Sequence, residues 1–277
     1  MRTVELVTGE SVPALGLGTW KMGVGDPDEA AQLRALQVGI DRGMTLIDTA
    51  EMYGDGRSEQ LVAKAIAGRR GKMFVVSKVL PQNASTNGTI AACERSLKRL
   101  GTDVIDLYLL HWRGSHPLRD TIHAFETLKV AGKIRHYGVS NFDASDLDEL
   151  NALEPAPSCA ANQIMYNLFD RGIEWDLYPK CQAEKIAIMA YCPLGKGRLV
   201  DNPKLATIAR KHGLTNAAVA LAFTMRLPGI ITIPKSSHEK RIVENAAAAD
   251  LVLDHDDMAA IDATFPPPRK KIPLAIT

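Results

Sequence analysis

The sequence predicts an α/β fold of the (β/α)8 TIM barrel class, with an N-terminal β-hairpin cap and a short C-terminal extension. Short apolar runs alternate with helix-like segments eight times along the chain, as in a parallel sheet built from strand–helix units. Most of these runs end on a polar residue, and a parallel barrel gathers its functional groups at that end of its strands. The length of 277 residues is about that of one such barrel. We therefore expect a single domain over residues 1–277.

The first predicted elements are a hairpin and a glycine-rich strand. Val4–Val7, a turn over residues 8–10, and Ser11–Pro13 predict the hairpin. Ala14–Trp20 is the first predicted barrel strand, and its glycines indicate that another backbone approaches closely there. The other seven predicted strands are Thr45–Thr49, Met73–Lys78, Val104–His111, Ile134–Asn141, Ala161–Asn167, Ile186–Tyr191 and Gly229–Pro234.

Helices are predicted between these strands from apolar residues spaced three and four apart. Asp28–Arg42 stops at Gly43, and the helix that buries Cys93 and Leu97 stops at Gly101. Ser58 is the predicted N-cap of the second helix. The other predicted helices run to about Lys129, hold Leu147 and Leu150, or cover Trp175–Glu184, Pro203–His212, Asn216–Met225, His238–Asp250 and Asp256–Thr264.

Composition excludes several classes of protein. The net charge of +1 gives no field that would attract nucleic acid or an acidic membrane. No apolar run approaches the length of a membrane span, and MRTVELVTGE lacks the apolar core of a signal peptide. The four cysteines are scattered without a C-x-x-C pair, and no metal-binding spacing occurs. We expect a cytoplasmic, monomeric protein with reduced thiols and no protein-bound metal.

Four polar residues follow consecutive predicted strands or lie just beyond them. They are Asp48, Tyr53, Lys78 and His111, and the barrel would bring them to one point. A phenol has a pKa near 10, too high for an efficient acid at neutral pH. An adjacent Lys78 would lower that pKa, Asp48 would hold Lys78 charged, and His111 would orient the substrate oxygen. This set suits reduction of a carbonyl, with hydride from a cofactor and the proton from Tyr53.

Each residue alone also fits a structural role. Asp48 could cap a loop, His111 could be a core histidine, Lys78 could form a rim ion pair, and Tyr53 could pack. Their joint position at successive strand ends favours a site. Two other functions remain open: a barrel that binds its cofactor and regulates a partner, and a metal-dependent hydrolase, for which clustered ligands are missing.

The chain resembles the aldo-keto reductase family over essentially its whole length. The carrying motifs are GLGTW, IDTAEMYG followed by SE, SK, LYLLHW, GVSN, NQIMYN, AYCPLG and IPKSSHEKRIVEN. The resemblance implies the tetrad Asp48, Tyr53, Lys78 and His111, with Tyr53 as proton donor. It also implies a nicotinamide dinucleotide lying across the barrel mouth without a Rossmann domain, and no G-x-G-x-x-G motif occurs. The shortness of the chain is similar to that of compact bacterial members that reduce methylglyoxal and other aldehydes.

The resemblance also assigns the cofactor contacts. Lys235, His238 and Arg241 surround a helix start, where free N–H groups and cations suit a 2′-phosphate, hence NADP(H). The carboxamide is expected at Ser140, Asn141 and Gln163, the nicotinamide ring on Tyr191, the pyrophosphate at Pro193, Leu194 and Gly195, and the phosphate and adenine at Lys235, Ser236, Ser237, His238, Arg241, Glu244 and Asn245. Gly18, Thr19 and Trp20 lie where the first strand meets the site.

The expected substrate pocket is formed by Trp20, Met52 and Trp112, which all lie beside tetrad or first-strand positions. The segment after His111 leads almost directly to a helix, and little chain follows Phe265. Because long loops at these places restrict access in the family, the short ones predict an open site. We expect small or compact carbonyl compounds, rather than steroids, as substrates.

Overall fold

An antiparallel hairpin begins the chain in the computed structural model, which describes residues 1–24 and 28–276. Its strands are β1 (Thr3–Glu5) and β2 (Ser11–Pro13). Glu10, in the hairpin, accepts from His136 Nε2 at 2.7 Å and pairs with Arg135 at 2.8 Å. Both partners lie at the start of a barrel strand, so the hairpin covers the N-terminal end of the barrel, as predicted.

Eight parallel strands follow in chain order, each paired with the next. Leu15 bridges Thr232, and Gly18 N donates to Pro234 O at 2.9 Å, so the first and last strands close the barrel. The strands are β3 (Leu17–Gly18), β4 (Leu46–Asp48), β5 (Phe74–Val79), β6 (Ile105–Leu110), β7 (Ile134–Ser140), β8 (Cys159–Met165), β9 (Ala187–Tyr191) and β10 (Ile230–Thr232). The predicted fold class is confirmed.

Helices connect the strands and cover the outside of the barrel. Their N-caps include Asp28, Ser85 and Thr215, whose side chains accept from backbone N–H groups in the first turn. None of the helices in the described part of the chain is long and apolar enough to cross a bilayer. They are α1 (Glu29–Asp41), α2 (Arg57–Ile66), α3 (Thr86–Leu100), α4 (Leu118–Val130), α5 (Ala144–Asn151), α6 (Leu177–Ala183), α7 (Ala206–Lys211), α8 (Asn216–Thr224), α9 (Glu239–Ala246) and α10 (His255–Thr264).

Two local predictions were wrong. The first barrel strand spans Leu17–Gly18 rather than Ala14–Trp20. Helix α2 starts at Arg57 after Gly56, which has a left-handed φ of 86°, so Ser58 is not its N-cap. The Ser58 hydroxyl is buried and donates to Thr19, whose Oγ1 lies at 2.8 Å and whose O lies at 3.2 Å. The Ser58 hydroxyl, which the local sequence pattern assigned to the N-cap of α2, therefore makes a tertiary hydrogen bond instead.

The C-terminal segment after α10 lies at the end of the barrel where the strands have their C-termini. Lys271 pairs with Asp143 at 3.1 Å and with Asp176 at 2.9 Å. Asp143 comes three residues after the end of β7, and Asp176 lies in the connection after β8. The short extension is therefore held beside the C-terminal ends of the strands, where a barrel builds its site.

Candidate active site

Lys78 is at the centre of the site, at the C-terminal part of β5, with its side chain fully buried. Its Nζ contacts Asp48 Oδ1 at 2.8 Å and Oδ2 at 2.9 Å, donates to Thr49 O at 2.7 Å, and donates to Tyr53 OH at 3.3 Å. An ammonium group has three donors, and these acceptors use them all. Asp48, Tyr53 and Lys78 are thus brought together as the sequence predicted.

The phenol oxygen of Tyr53 accepts a hydrogen bond from Lys78 Nζ at 3.3 Å. Because Lys78 donates to the phenol oxygen, the phenolic hydrogen is available to another acceptor. Burial, and next the negative charge of Asp48, raise the pKa of Tyr53 well above its ordinary value of 10.0. The pKa of Tyr53 is therefore raised overall, not lowered as expected from the adjacent Lys78, because burial and then the charge of Asp48 dominate the shift.

His111 lies beside Tyr53, one residue beyond β6, and its ring meets the phenol edge-on at a centroid distance of 5.8 Å. Burial and the positive charge of Lys78 lower the pKa of His111 to about 2, so the imidazole is neutral. Its Nδ1 is buried and has no hydrogen-bond partner among the described residues. A neutral imidazole can donate one hydrogen bond to a substrate oxygen without carrying charge.

A second layer of amides joins the tetrad to the next strands. Gln163 Nε2, on β8, donates to Asp48 Oδ1 at 2.7 Å. Ser140 Oγ donates to Gln163 O at 2.8 Å, and Asn141 Nδ2 donates to His111 O at 3.1 Å. Asn141 has a left-handed φ of 60°, which turns it out of β7. The predicted amide residues are therefore in contact with the tetrad.

Tyr191 and the loop after it are at the exit of β9. Tyr191 OH donates to Asn141 Oδ1 at 2.8 Å, which fixes a half-buried ring beside the amides. In the loop, Pro193 and Gly195 are buried and Leu194 is half-buried. A Cβ at Gly195 would lie 2.9 Å from the ring of Phe169, so only glycine permits this close packing.

The predicted phosphate-binding residues follow β10 and begin α9. Lys235, His238 and Arg241 are exposed, and Ser236 Oγ accepts from His238 N at 3.2 Å. Glu239, in the first turn of α9, pairs with Arg34 at 3.1 Å. The other predicted contacts here differ in exposure: Ser237 and Glu244 are half-buried, and Asn245 is buried.

The first strand reaches the site through Thr19 and its neighbours. Thr19 Oγ1 donates to Asp48 O at 2.9 Å, and a Cβ at Gly18 would lie 2.8 Å from Ile233 O. Trp20 is 40% exposed, and its ring carries Lys21 Nζ at 4.6 Å. An exposed indole at the barrel mouth is a surface on which a ligand can pack.

The other two predicted pocket residues, Trp112 and Met52, differ in exposure and in their neighbours. Trp112 is half-buried, and its ring lies 4.7 Å from that of His111. Met52 is 37% exposed, one residue before Tyr53. Another exposed ring, not considered in the sequence, is Phe169, 39% exposed four residues beyond β8, with Arg198 stacked at 4.2 Å; it lies against Gly195 of the loop after β9. Its loop position carries no pattern that the sequence could have revealed.

Comparison with known proteins gives the family. The model of the aldo/keto reductase family matches residues 14–265. The chain belongs to this family. Methylglyoxal reductase YeaE of Escherichia coli is 45% identical over 95% of each chain, and glyoxal reductase of Bacillus subtilis is 38% identical over 94% of this chain and 92% of its own. An aldo/keto reductase from Klebsiella pneumoniae, solved with NADP and acetate, superposes with a TM-score of 0.96 and 44% identity over 99% of each chain.

Proposed function

We propose that this member of the aldo/keto reductase family reduces aldehydes and ketones to alcohols with NADPH. One carbonyl, one NADPH and one proton give one alcohol and NADP⁺, and Tyr53 delivers the proton to the carbonyl oxygen. The observation that carries the proposal is the hydrogen bond from Lys78 to the oxygen of Tyr53, which leaves the phenolic hydrogen for the substrate. The raised pKa of Tyr53 keeps that hydrogen in place at neutral pH.

The residues present fit a nicotinamide dinucleotide phosphate. An aldo-keto reductase from Klebsiella pneumoniae that is 44% identical to this chain was solved with NADPH, and this cofactor, when bound, would supply a hydride. In this chain, Ser140, Asn141 and Gln163 offer donors and acceptors for a carboxamide, while Tyr191 offers a half-buried ring for stacking. The other proposed cofactor contacts are Gly18, Thr19, Trp20, Pro193, Leu194, Gly195, Lys235, Ser236, Ser237, His238, Arg241, Glu244 and Asn245.

The other tetrad residues have distinct proposed roles. Lys78 fixes the phenol and, as the proton leaves Tyr53 and negative charge develops on its oxygen, stabilises the phenolate that remains. Asp48 holds Lys78 in place through both carboxylate oxygens. Neutral His111 donates to the carbonyl oxygen and orients it for hydride transfer. Burial strengthens each of these interactions because water no longer screens them.

The proposed substrates are small aldehydes and ketones similar to methylglyoxal. The support comes from the names of the E. coli and Bacillus subtilis relatives and from the aromatic surfaces at the mouth, Trp20 and Trp112. Met52 completes the proposed pocket beside Tyr53. Comparable kcat/KM for steroid ketones and small aldehydes would contradict this selectivity.

We further propose a monomeric enzyme of the bacterial cytoplasm. The relatives from Escherichia coli and Bacillus subtilis support the bacterial source. The thiols of Cys93, Cys159, Cys181 and Cys192 are all free, which is typical of reducing compartments. Sedimentation of the purified chain would test the monomer, and a dimer peak at low micromolar concentration would contradict it.

The decisive experiment follows NADPH oxidation with methylglyoxal, glyceraldehyde, nitrobenzaldehyde, a sugar and a steroid ketone. We expect turnover with the small aldehydes. Tyr53→Phe removes the proton donor and keeps the ring, so kcat should fall by about 10²- to 10⁴-fold while NADPH binding is retained. Wild-type binding of NADPH without turnover of any compound would instead support a cofactor-sensing binding protein.

Cofactor preference is tested at the start of α9. Arg241→Ala removes an exposed cation beside the proposed 2′-phosphate, so KM for NADPH should rise by about tenfold while KM for NADH stays the same. Lys185→Ala, an exposed cation before β9, is the matched control. Equal changes with NADPH and NADH in Arg241→Ala would remove the phosphate contact from the proposal.

A further inference from the structure

The turn that carries Tyr53 leaves the barrel sheet directly after β4. Two backbone bonds still continue the pairing with β5. Thr49 N donates to Val76 O at 2.9 Å, and Glu51 N donates to Lys78 O at 3.4 Å. Beyond Glu51 the chain turns towards α2, so the backbone ladder ends two residues before the phenol.

Beyond the last backbone bond, the side chain of Glu51 connects this turn to the segment that follows β5. Its Oε1 accepts from Leu80 N at 2.8 Å and from Asn83 Nδ2 at 2.9 Å, both just beyond β5. Its Oε2 faces Arg95 of α3 at 3.5 Å. Glu51 is 8% exposed, and a buried carboxylate with two well-placed donors makes strong hydrogen bonds.

We infer that Glu51 is a positioning residue for the proton transfer, because it holds the turn bearing Tyr53 against the strand exit bearing Lys78. The bond from Lys78 Nζ to Tyr53 OH, at 3.3 Å, joins the two segments that Glu51 connects. A shift of ~1 Å in such a pair can cost about 10²-fold in rate. The inference rests on the proposed function, in which Tyr53 donates the proton.

Glu51 acts through the position of the turn rather than through its charge. After burial, the contributions that raise the pKa of Tyr53 come from Asp48, then Cys192 and Tyr191, and Glu51 is not among them. A neutral oxygen acceptor at this place should therefore serve almost as well. Glutamine keeps that acceptor and alanine does not, which separates geometry from charge.

The test measures kcat and KM for methylglyoxal, and the Kd for NADPH by fluorescence, in the full chain. We expect Glu51→Ala to lower kcat by about 10- to 100-fold, with KM and Kd within about threefold of wild type. Glu51→Gln should recover most of that loss. Glu94→Ala is the matched control, since Glu94 is the carboxylate next to Arg95 and pairs with Lys133 at the surface.

Each outcome decides the inference. Wild-type kcat in Glu51→Ala, or an equal loss in Glu51→Gln, overturns it. If Glu51→Ala does not fold, Asn83→Ala removes one donor from the other segment and should lower kcat at unchanged KM; an unchanged kcat there overturns the inference. Failure of the proposed function is distinguishable, because it would abolish turnover in the wild-type chain as well.

Discussion

A single imidazole, that of His111, links the site to the stability of the protein. Its pKa is lowered from 6.5 to about 2, chiefly by burial and then by Lys78. In the unfolded chain, His111 therefore binds a proton below about pH 6.5, whereas in the folded chain it binds one only near pH 2. The folded state is favoured above that window and loses stability as the pH falls through it, by up to ~1.4 kcal/mol per pH unit.

This linkage predicts a difference between the wild-type chain and His111→Gln. The free energy of unfolding of the wild type should fall more steeply between about pH 6.5 and pH 5 than that of the variant, because glutamine does not titrate. Urea titrations at several pH values measure both slopes. His116→Gln is the control, since this histidine is half-buried on the loop after β6 and its Nε2 lies 3.4 Å from Gln82 O. Equal slopes in all three proteins would contradict the assignment.

The identity of the candidate catalytic side chains was predictable, whereas the state of one of them was not. The positions of Asp48, Lys78 and His111 were predictable because each apolar run shows where its strand stops, and a barrel builds its site at these strand ends. The direction of the pKa shift of Tyr53 depends on how deeply the ring is buried and on its distance to Asp48. Neither quantity is present in a local sequence pattern.

Among the elements, β7 shows how closely the barrel strands are fitted. A Cβ at Gly138 would lie 2.3 Å from Ala161 O of β8, and the pairing register shifts at this point. Because the obstacle is backbone, Gly138→Ala should reduce the free energy of unfolding by about 1–3 kcal/mol. Gly71→Ala, at an exposed position with open space, should change it by less than ~0.5 kcal/mol. Urea midpoints compare the two, and equal midpoints would refute the packing argument.

Some boundaries of helices and strands could be predicted from local sequence patterns, and others depend on tertiary contacts. The end of α3 at Gly101 follows the prediction because a left-handed cap with φ of 61° is a local property of glycine. The start of α2 does not, because the Ser58 hydroxyl donates to Thr19, one residue beyond β3. The bounds of β3 also depend on distant partners: Gly16 N donates to Thr232 O of β10 and Gly18 N to Pro234 O just beyond it, and only the closed barrel defines their positions.

At the scale of the whole molecule, the buried guanidinium of Arg171 fastens α10 to the barrel. Arg171 is 5% exposed and donates to Asp262 at 2.7 Å and to Phe265 O at 2.5 Å. It also pairs with Glu174 at 2.8 Å, which in turn pairs with Arg226 at 2.9 Å. Loss of Arg171 would take the donor from the buried Phe265 O and one cation from Glu174, and leaving a buried acceptor unsatisfied is costly.

We therefore expect Arg171→Met to lower the free energy of unfolding by about 2–4 kcal/mol. Arg69→Met is the control, since Arg69 pairs with Asp41 at the surface and such pairs contribute about 0–1 kcal/mol. Thermal and urea unfolding of the three proteins measure the difference. A small loss at both positions would show that the C-terminal helix is held by apolar contacts alone.

The order of the site along the chain has a consequence for recombination. The proposed catalytic side chains come from residues 48–111, whereas the proposed cofactor contacts, apart from residues 18–20, come from residues 140–245. A chimera that joins this chain up to Gly132 to the second half of a relative that prefers NADH should keep its proton donor and inherit the foreign coenzyme preference. The incoming half must supply a glutamine at position 163, because the bond from Gln163 to Asp48 crosses the junction.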